Sequence, residues 1–220
     1  MGDRESEERG YLAPPWHLQG AAFQMLQLVD SRRARLFVPY GLKVVSIWPG
    51  KTLGGIVLAS YGPGSDLEYN ELIAFPALVR RGLKLGIWIS HIYVDNENSL
   101  YGGREIWGLP KQWARFSQDE NGRIVVRQGE EALCALEQGR RRRLWRLRLP
   151  VPAFSVQGTG LFFFRSKLDA SLARMDARWE IPQESPFVAL GLGQGGVTLC
   201  YESMRLDVPA PREVGDLSHV

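Results

Sequence analysis

Apolar and polar positions alternate over short stretches through most of this chain, with the two-residue period of β-strands rather than the 3.6-residue period of helices. Ala22 to Val29 is an apolar run, and Asp30 and Ser31 after it predict the N-cap of a short arginine-rich helix near 31–37, stopped by Pro39. Val44 to Trp48, Gly55 to Tyr61, Ile73 to Val79 and Leu85 to Val94 are rich in Ile, Val and aromatic residues and predict strands. Trp113 to Gln118 and Arg123 to Arg127 flank Asn121-Gly122, the dipeptide best suited to a tight hairpin turn. Leu133 to Leu136 and Leu144 to Leu149 predict a further strand pair, with Trp145, Leu147 and Leu149 facing one way and Arg146 and Arg148 the other. Phe162 to Phe164, Ser185 to Leu190 and Val197 to Leu206 complete the strands, and a second short helix is expected near 97–107.

Many short strands between Gly and Pro turns, with little helical periodicity, predict a mainly β fold. The expected architecture is an antiparallel, cone-like or closed β-barrel with a few short helices. Residues 1–10 and 210–220 are charged or Pro-interrupted without periodicity, so they are expected to be flexible tails around a single domain at 11–209.

Composition narrows the function. The 220 residues carry 27 Lys+Arg against 24 Asp+Glu, too small an excess to argue for nucleic acid. The polar start MGDRESEERG has no apolar core of a signal peptide, and no run is long enough to span a membrane. A cytoplasmic protein with no membrane partner is expected. Cys134 and Cys200 lie in apolar alternating stretches without metal-like spacing, which predicts two buried thiols. Seven tryptophans and several apolar strands predict a homo-oligomer.

Several motifs have plain structural readings. Gly191 to Gly196 fits G-x-G-x-x-G, but a strand-like VTLCYESMRLDVP follows where a phosphate-binding loop needs a helix, so a β-turn is expected. Arg140 to Arg143 can contact a polyanion or form a solvated sheet edge; Glu130, Glu131 and Glu137 nearby favour the edge. His17, His91 and His219 have no metal-ligand spacing. His91 lies within WISHIYV, where it is either a hydrogen-bonded core residue or part of a pocket.

Lysine is scarce, confined to Lys43, Lys51, Lys84, Lys111 and Lys167. Lys111 follows a polar cluster, a short helix, Gly108 and Pro110, among Ile106, Trp107, Leu109 and Trp113. An ammonium in apolar surroundings is costly, so such a site favours the neutral, nucleophilic amine that imine formation with a ketone requires. The alternative is a surface lysine lying over aromatic rings.

Tyr93, Asp95, Asn96 and Glu97, then Gly103, Arg104 and Glu105, then Pro110 and Lys111, resemble the signature of acetoacetate decarboxylases. Tyr69-Asn70-Glu71 and the opening Pro14-Pro15-Trp16 extend the resemblance, which runs from about residue 14 to 118. It implies a cone-like β-barrel and metal-free, cofactor-free lyase chemistry on a small-molecule carbonyl substrate. Lys111 would be the Schiff-base nucleophile and Glu71 an acid/base or orienting carboxylate, acetoacetate decarboxylase being itself the standing example of an activated lysine. His91, Tyr93, Trp107 and Trp113 are expected around the substrate, and Arg104 with Glu105 as structural support, a buried ion pair fixing the turn. Decarboxylation of a 3-oxo acid, aldol-dehydration on the same lysine, or binding of an apolar or carbonyl ligand without catalysis all fit this pattern. Three positions depart from the family: Gln112 stands where a second lysine is expected, Gly20 near the place of a carboxylate-binding arginine, and Ile56 near that of a second glutamate.

Overall fold

The computed structural model describes residues 11–193 and 195–218. The expected N-terminal tail, Gln194 and His219 lie outside them. The first strand, β1 (Trp16–Asp30), leads into helix α1 (Ser31–Arg35), where the Asp30 carboxylate accepts from the backbone N–H groups of Arg32 and Arg33. Strands β2 (Lys43–Val44), β3 (Lys51–Tyr61), β4 (Tyr69–Phe75), β5 (Ala77–Arg81), β6 (Lys84–Trp88) and β7 (His91–Val94) follow. Helix α2 (Glu97–Trp107) then connects to β8 (Lys111–Trp113), β9 (Arg115–Gln118) and β10 (Ile124–Gln128). The chain ends with β11 (Glu131–Gln157), β12 (Gly160–Glu180), helix α3 (Pro186–Ala189), β13 (Val197–Val208) and β14 (Arg212–Asp216).

These strands form one mixed sheet in the order β2-β5-β6-β11-β12-β13-β1-β3-β4-β7-β8, with β9, β10 and β14 attached beside it. The mainly β prediction holds, with two corrections. The path is open at β2 and β8 among the described residues, so the sheet is not a closed barrel. It is also not wholly antiparallel: β6 with β11 and β7 with β8 are parallel, the second joined through α2 as a parallel pair requires.

Several element boundaries differ from the sequence pattern for local reasons. Pro76 cannot donate to a ladder and splits the expected Ile73–Val79 strand into β4 and β5. Leu85 to Val94 is likewise interrupted between β6 and β7, and of the expected Val44–Trp48 strand Val44 alone lies in a strand, Trp48 forming an isolated bridge to Lys51. Residues 133–136 and 144–149 are not partners but parts of one 27-residue strand, β11. Gly139, between the two segments, marks an irregularity in the pairing, where a Cβ would sit 2.0 Å from the Asp176 carbonyl oxygen of β12. Ser185 to Leu190 is helical because Ser185 caps Phe187 N–H and Pro186 occupies the first turn. The expected flexible segment 210–220 contains β14, paired with β12.

The hairpin at Asn121-Gly122 forms between β9 and β10, with Asp119 accepting from the N–H groups of Asn121 and Arg123. The loop at Gly191–Gly196 leads into β13, and the side chain of Gln27 bonds Gly191 and Gly193, a structural role in place of phosphate binding. Both cysteines are buried free thiols. No helix among the described residues is long and apolar enough to cross a membrane.

Strand alternation gives the sheet two unlike faces. Leu72, Ala74 and Tyr93 join a large core with Met25, Ile56 and Phe187. The other face of the same strands carries Ile73 and Ile92, packed with Trp16, Trp107 and Phe164. The candidate chemistry lies on this second face.

Candidate active site

Four neighbouring strands build the site by register. In β3 and β4, Tyr61 lies opposite Tyr69. In β4 and β7, Glu71 lies opposite Val94 and Ile73 opposite Ile92. In β7 and β8, Ile92 lies opposite Lys111. Opposed residues share a face and same-face residues recur every second position, so Tyr61, Tyr69, Glu71, Ile73, Ile92 and Lys111 all project one way.

Helix α2 covers that face. Asn96 caps it through the Ser99 N–H, and Gly108 ends it in the left-handed conformation at φ 61°. Ser99, Gly103 and Trp107 recur at four-residue spacing and form its buried inner stripe. At Gly103 a Cβ would stand 2.4 Å from Lys111 Cδ, so the glycine makes room for the lysine stem. At Gly102 it would stand 2.7 Å from the Trp16 ring. The Asp95 carboxylate accepts from Asn70 N and Nδ2, both at 2.7 Å, tying the strand that carries Glu71 to the start of the helix.

The Lys111 amine therefore ends inside the protein, with the residue only 3% exposed. Nζ lies 2.8 Å from Glu71 Oε1 and donates to Ser99 Oγ at 2.8 Å. It also stands 5.0 Å from the ring centre of Tyr69 and 5.8 Å from that of Trp16, within reach of cation–π attraction. The hydroxyls of Tyr61 and Tyr69 approach the two Glu71 oxygens, each at 3.4 Å. Burial, with the adjacent Glu71 charge second, pushes both phenols well above the ordinary tyrosine range, so they remain neutral donors facing the carboxylate.

A cavity of about 110 Å³ opens in front of this group. Apart from Lys111, Glu71, the two tyrosines and Ser166, its walls are aliphatic or aromatic. Trp16 and Trp107 pack edge to face there with centroids 4.6 Å apart, and their indole N–H groups bond backbone carbonyls outside the cavity. The site offers an amine beside a proton acceptor in a mostly apolar pocket, an arrangement able to add to a carbonyl carbon.

The remaining expected residues separate. Trp107 lines the cavity. His91 and Tyr93 do not: they alternate onto the opposite face, where each ring contacts Phe187 with centroids 6.1 Å apart. Burial lowers the His91 pKa below the ordinary histidine value. Trp113 ends β8 and is 46% exposed, away from the cavity. Arg104 and Glu105 are exposed rather than a buried pair. Arg104 still holds the lysine strand, donating from Nε to the Lys111 carbonyl at 2.7 Å, and Glu105 accepts from the Tyr11 hydroxyl.

Ser99 and Tyr61 were not anticipated as site residues. The spacing of Ser99 with Gly103 and Trp107 is a readable signal for a serine on the inner helix face. Tyr61 enters only through its register with Tyr69. The three departures also find places: Gln112 accepts from Gln128 Nε2, Gly20 packs its backbone against the Ser60 carbonyl, and Ile56 belongs to the opposite core.

The acetoacetate decarboxylase family model matches residues 4–151. The chain belongs to this family. Protein NEOXANTHIN-DEFICIENT 1 of Solanum lycopersicum is 36% identical over 116 residues, covering 53% of this chain and 39% of that protein. Its Arabidopsis thaliana counterpart is 34% identical over 110 residues, covering 50% and 39%. The chain thus corresponds to well under half the length of these relatives. Among solved structures, acetoacetate decarboxylase from Legionella pneumophila superposes with a TM-score of 0.72 at 16% identity, covering 94% of this chain and 89% of that one. The enduracididine biosynthesis enzyme MppR, complexed with pyruvate, gives 0.70 at 16%, covering 95% and 93%. At such identity the likeness shows the family fold.

Proposed function

We propose that this protein is a cofactor-free lyase that forms a Schiff base between Lys111 and a small carbonyl substrate. One observation carries the reading: the Lys111 amine is enclosed in an apolar cavity, 2.8 Å from the Glu71 carboxylate. The ammonium must lose a proton before its lone pair can add to a carbonyl, and Glu71 is placed to accept it. That proton can return to the departing oxygen, so ammonium and ketone become iminium and water with the charge unchanged. The iminium then draws electrons from a bond one carbon away, as decarboxylation or carbon–carbon cleavage requires. Ser99 orients the amine, and Tyr61 and Tyr69 steady the carboxylate.

A second reading, aldol condensation or dehydration on the same lysine, is supported by the fold neighbour MppR, which has been solved with the condensation product of pyruvate and imidazole 4-carboxaldehyde. Either reaction starts with the same imine. Borohydride reduction in the presence of a panel of ketones and 3-oxo acids, followed by peptide mapping, is expected to give a stable adduct on Lys111 that Lys111→Ala abolishes. A folded protein that yields no adduct at Lys111 with any of them would leave only carbonyl-ligand binding without catalysis.

A further inference from the structure

We infer that the site takes a small uncharged ketone or aldehyde rather than a 3-oxo carboxylate; this rests on the Schiff-base reading above. The argument is one of charge. Lys111 is the cationic side chain among the described residues lining the cavity, and Glu71 neutralises it at 2.8 Å. No arginine lines the cavity among those residues. Gly20 cannot supply a side chain there either, because a Cβ would meet the Ser60 carbonyl oxygen at 1.9 Å.

A 3-oxo acid would bring a second carboxylate into this space, facing Glu71 with one cation shared between them. Burying an anion without its own partner is heavily penalised, and two carboxylates around one ammonium repel. An uncharged carbonyl compound avoids both costs. The ammonium–carboxylate pair becomes an iminium–carboxylate pair, and the net charge of the site stays at zero throughout. The rest of the substrate meets Ile73, Ile92, Trp16, Trp107 and Phe164, which offer dispersion contacts and no hydrogen bonds. A cavity of about 110 Å³ limits that part of the substrate to a few carbons, being smaller than the engineered apolar cavities of ~150 Å³ that take up benzene.

The chemistry that follows also differs. Without a carboxylate to lose, the iminium sheds an α proton to Glu71, and the C–H electron pair moves to form the enamine while the C=N pair returns to nitrogen. Glu71 trades that proton for one from solvent and returns it to carbon, which gives exchange; attack of the enamine carbon on a second carbonyl forms a new carbon–carbon bond, with the Glu71 proton passing to the carbonyl oxygen and water releasing the product from the iminium that re-forms. No oxidant or reductant is needed.

Methyl acetoacetate and acetoacetate test this as a pair, since both present the same methyl ketone and only one is an anion. Each would be incubated with the wild-type protein and borohydride, and the Lys111 adduct quantified by peptide mass mapping. Yields would be normalised to the same two compounds reacting with free butylamine. The expected result is a Lys111 adduct at least about tenfold more abundant with methyl acetoacetate, reflecting the cost of an unpaired buried anion. Deuterium should also wash into the α position of 2-pentanone, and Lys111→Ala should abolish it. Equal or preferential labelling by acetoacetate, with release of CO2, would overturn the inference while leaving the Schiff-base lyase standing. Absence of a Lys111 adduct from either compound would overturn both.

Discussion

Lys111 illustrates how a single side chain is shaped by residues distant from it in sequence. Its stem occupies the space that a side chain at position 103 would fill, and its amine is shared between Glu71 and Ser99. A buried ammonium without its partners costs several kcal/mol, so this arrangement ties the fold to the chemistry. Gly103→Ala isolates the geometric part. The added methyl would stand 2.4 Å from Lys111 Cδ, and the flexible stem is what must move. We expect borohydride trapping to fall by about tenfold or more, since misplacing a reacting atom by about 1 Å costs up to ~100-fold. The ~1 kcal/mol by which alanine exceeds glycine as a helix former offsets only part of the cost of shifting a buried ammonium from its partners, so the thermal midpoint should fall as well. Unchanged trapping with a folded protein would show that the lysine reaches its substrate by another path.

At the scale of elements, the sheet divides its strands between two tasks. β4, β7 and β8 bring Glu71 and Lys111 together, whereas the middle of β11 is exposed and rich in arginine. Three arginines of β11 have acidic partners on other strands: Arg141 with Glu202, and Arg146 and Arg148 with Asp169. That pattern is a solvated sheet region held by cross-strand charge. Hydrogen bonding from Arg146, opposed by burial and assisted by Arg148, lowers the Asp169 carboxyl from 3.8 to about 2. A depressed carboxyl contributes stability that is present above its unfolded value and is lost as the pH falls through its folded value. Asp169→Asn should therefore flatten the decline of stability between about pH 4 and 2, read from denaturant midpoints at each pH. An acid limb as steep as the wild type's would assign that loss to other carboxyls.

For the whole molecule, the mixed open sheet leaves apolar groups at the surface between α1 and β3. Leu36 is 81% exposed, Tyr40 74% and Trp48 67%, and the Ser31–Ser46 hydroxyl contact keeps the two ends of this segment together. Apolar side chains that are exposed together, rather than singly, mark association surfaces. We expect the protein to be a homo-oligomer in solution, with a mass by light scattering that falls when Leu36 and Trp48 are both replaced by serine. A monomer mass for the unsubstituted protein at micromolar concentration would refute self-association.

What the sequence by itself determined was local. Period-two alternation specified a mainly β chain, Asp30 and Asn121-Gly122 specified a cap and a turn, and the Tyr93 to Lys111 segment singled out Lys111 and the helix that leads to it. Each depends on neighbouring residues, so each is legible in a linear string. The tertiary structure decided which strands adjoin, and register then decided the company Lys111 keeps. His91 and Tyr93 are near it in sequence but turned to the other face of β7, because successive side chains in a strand point in opposite directions. Tyr61 and Glu71, remote in sequence, arrive through the β3–β4 and β4–β7 pairings. Closure of the sheet was likewise a matter of long-range pairing: alternation gives each strand two faces but does not say whether the last strand meets the first.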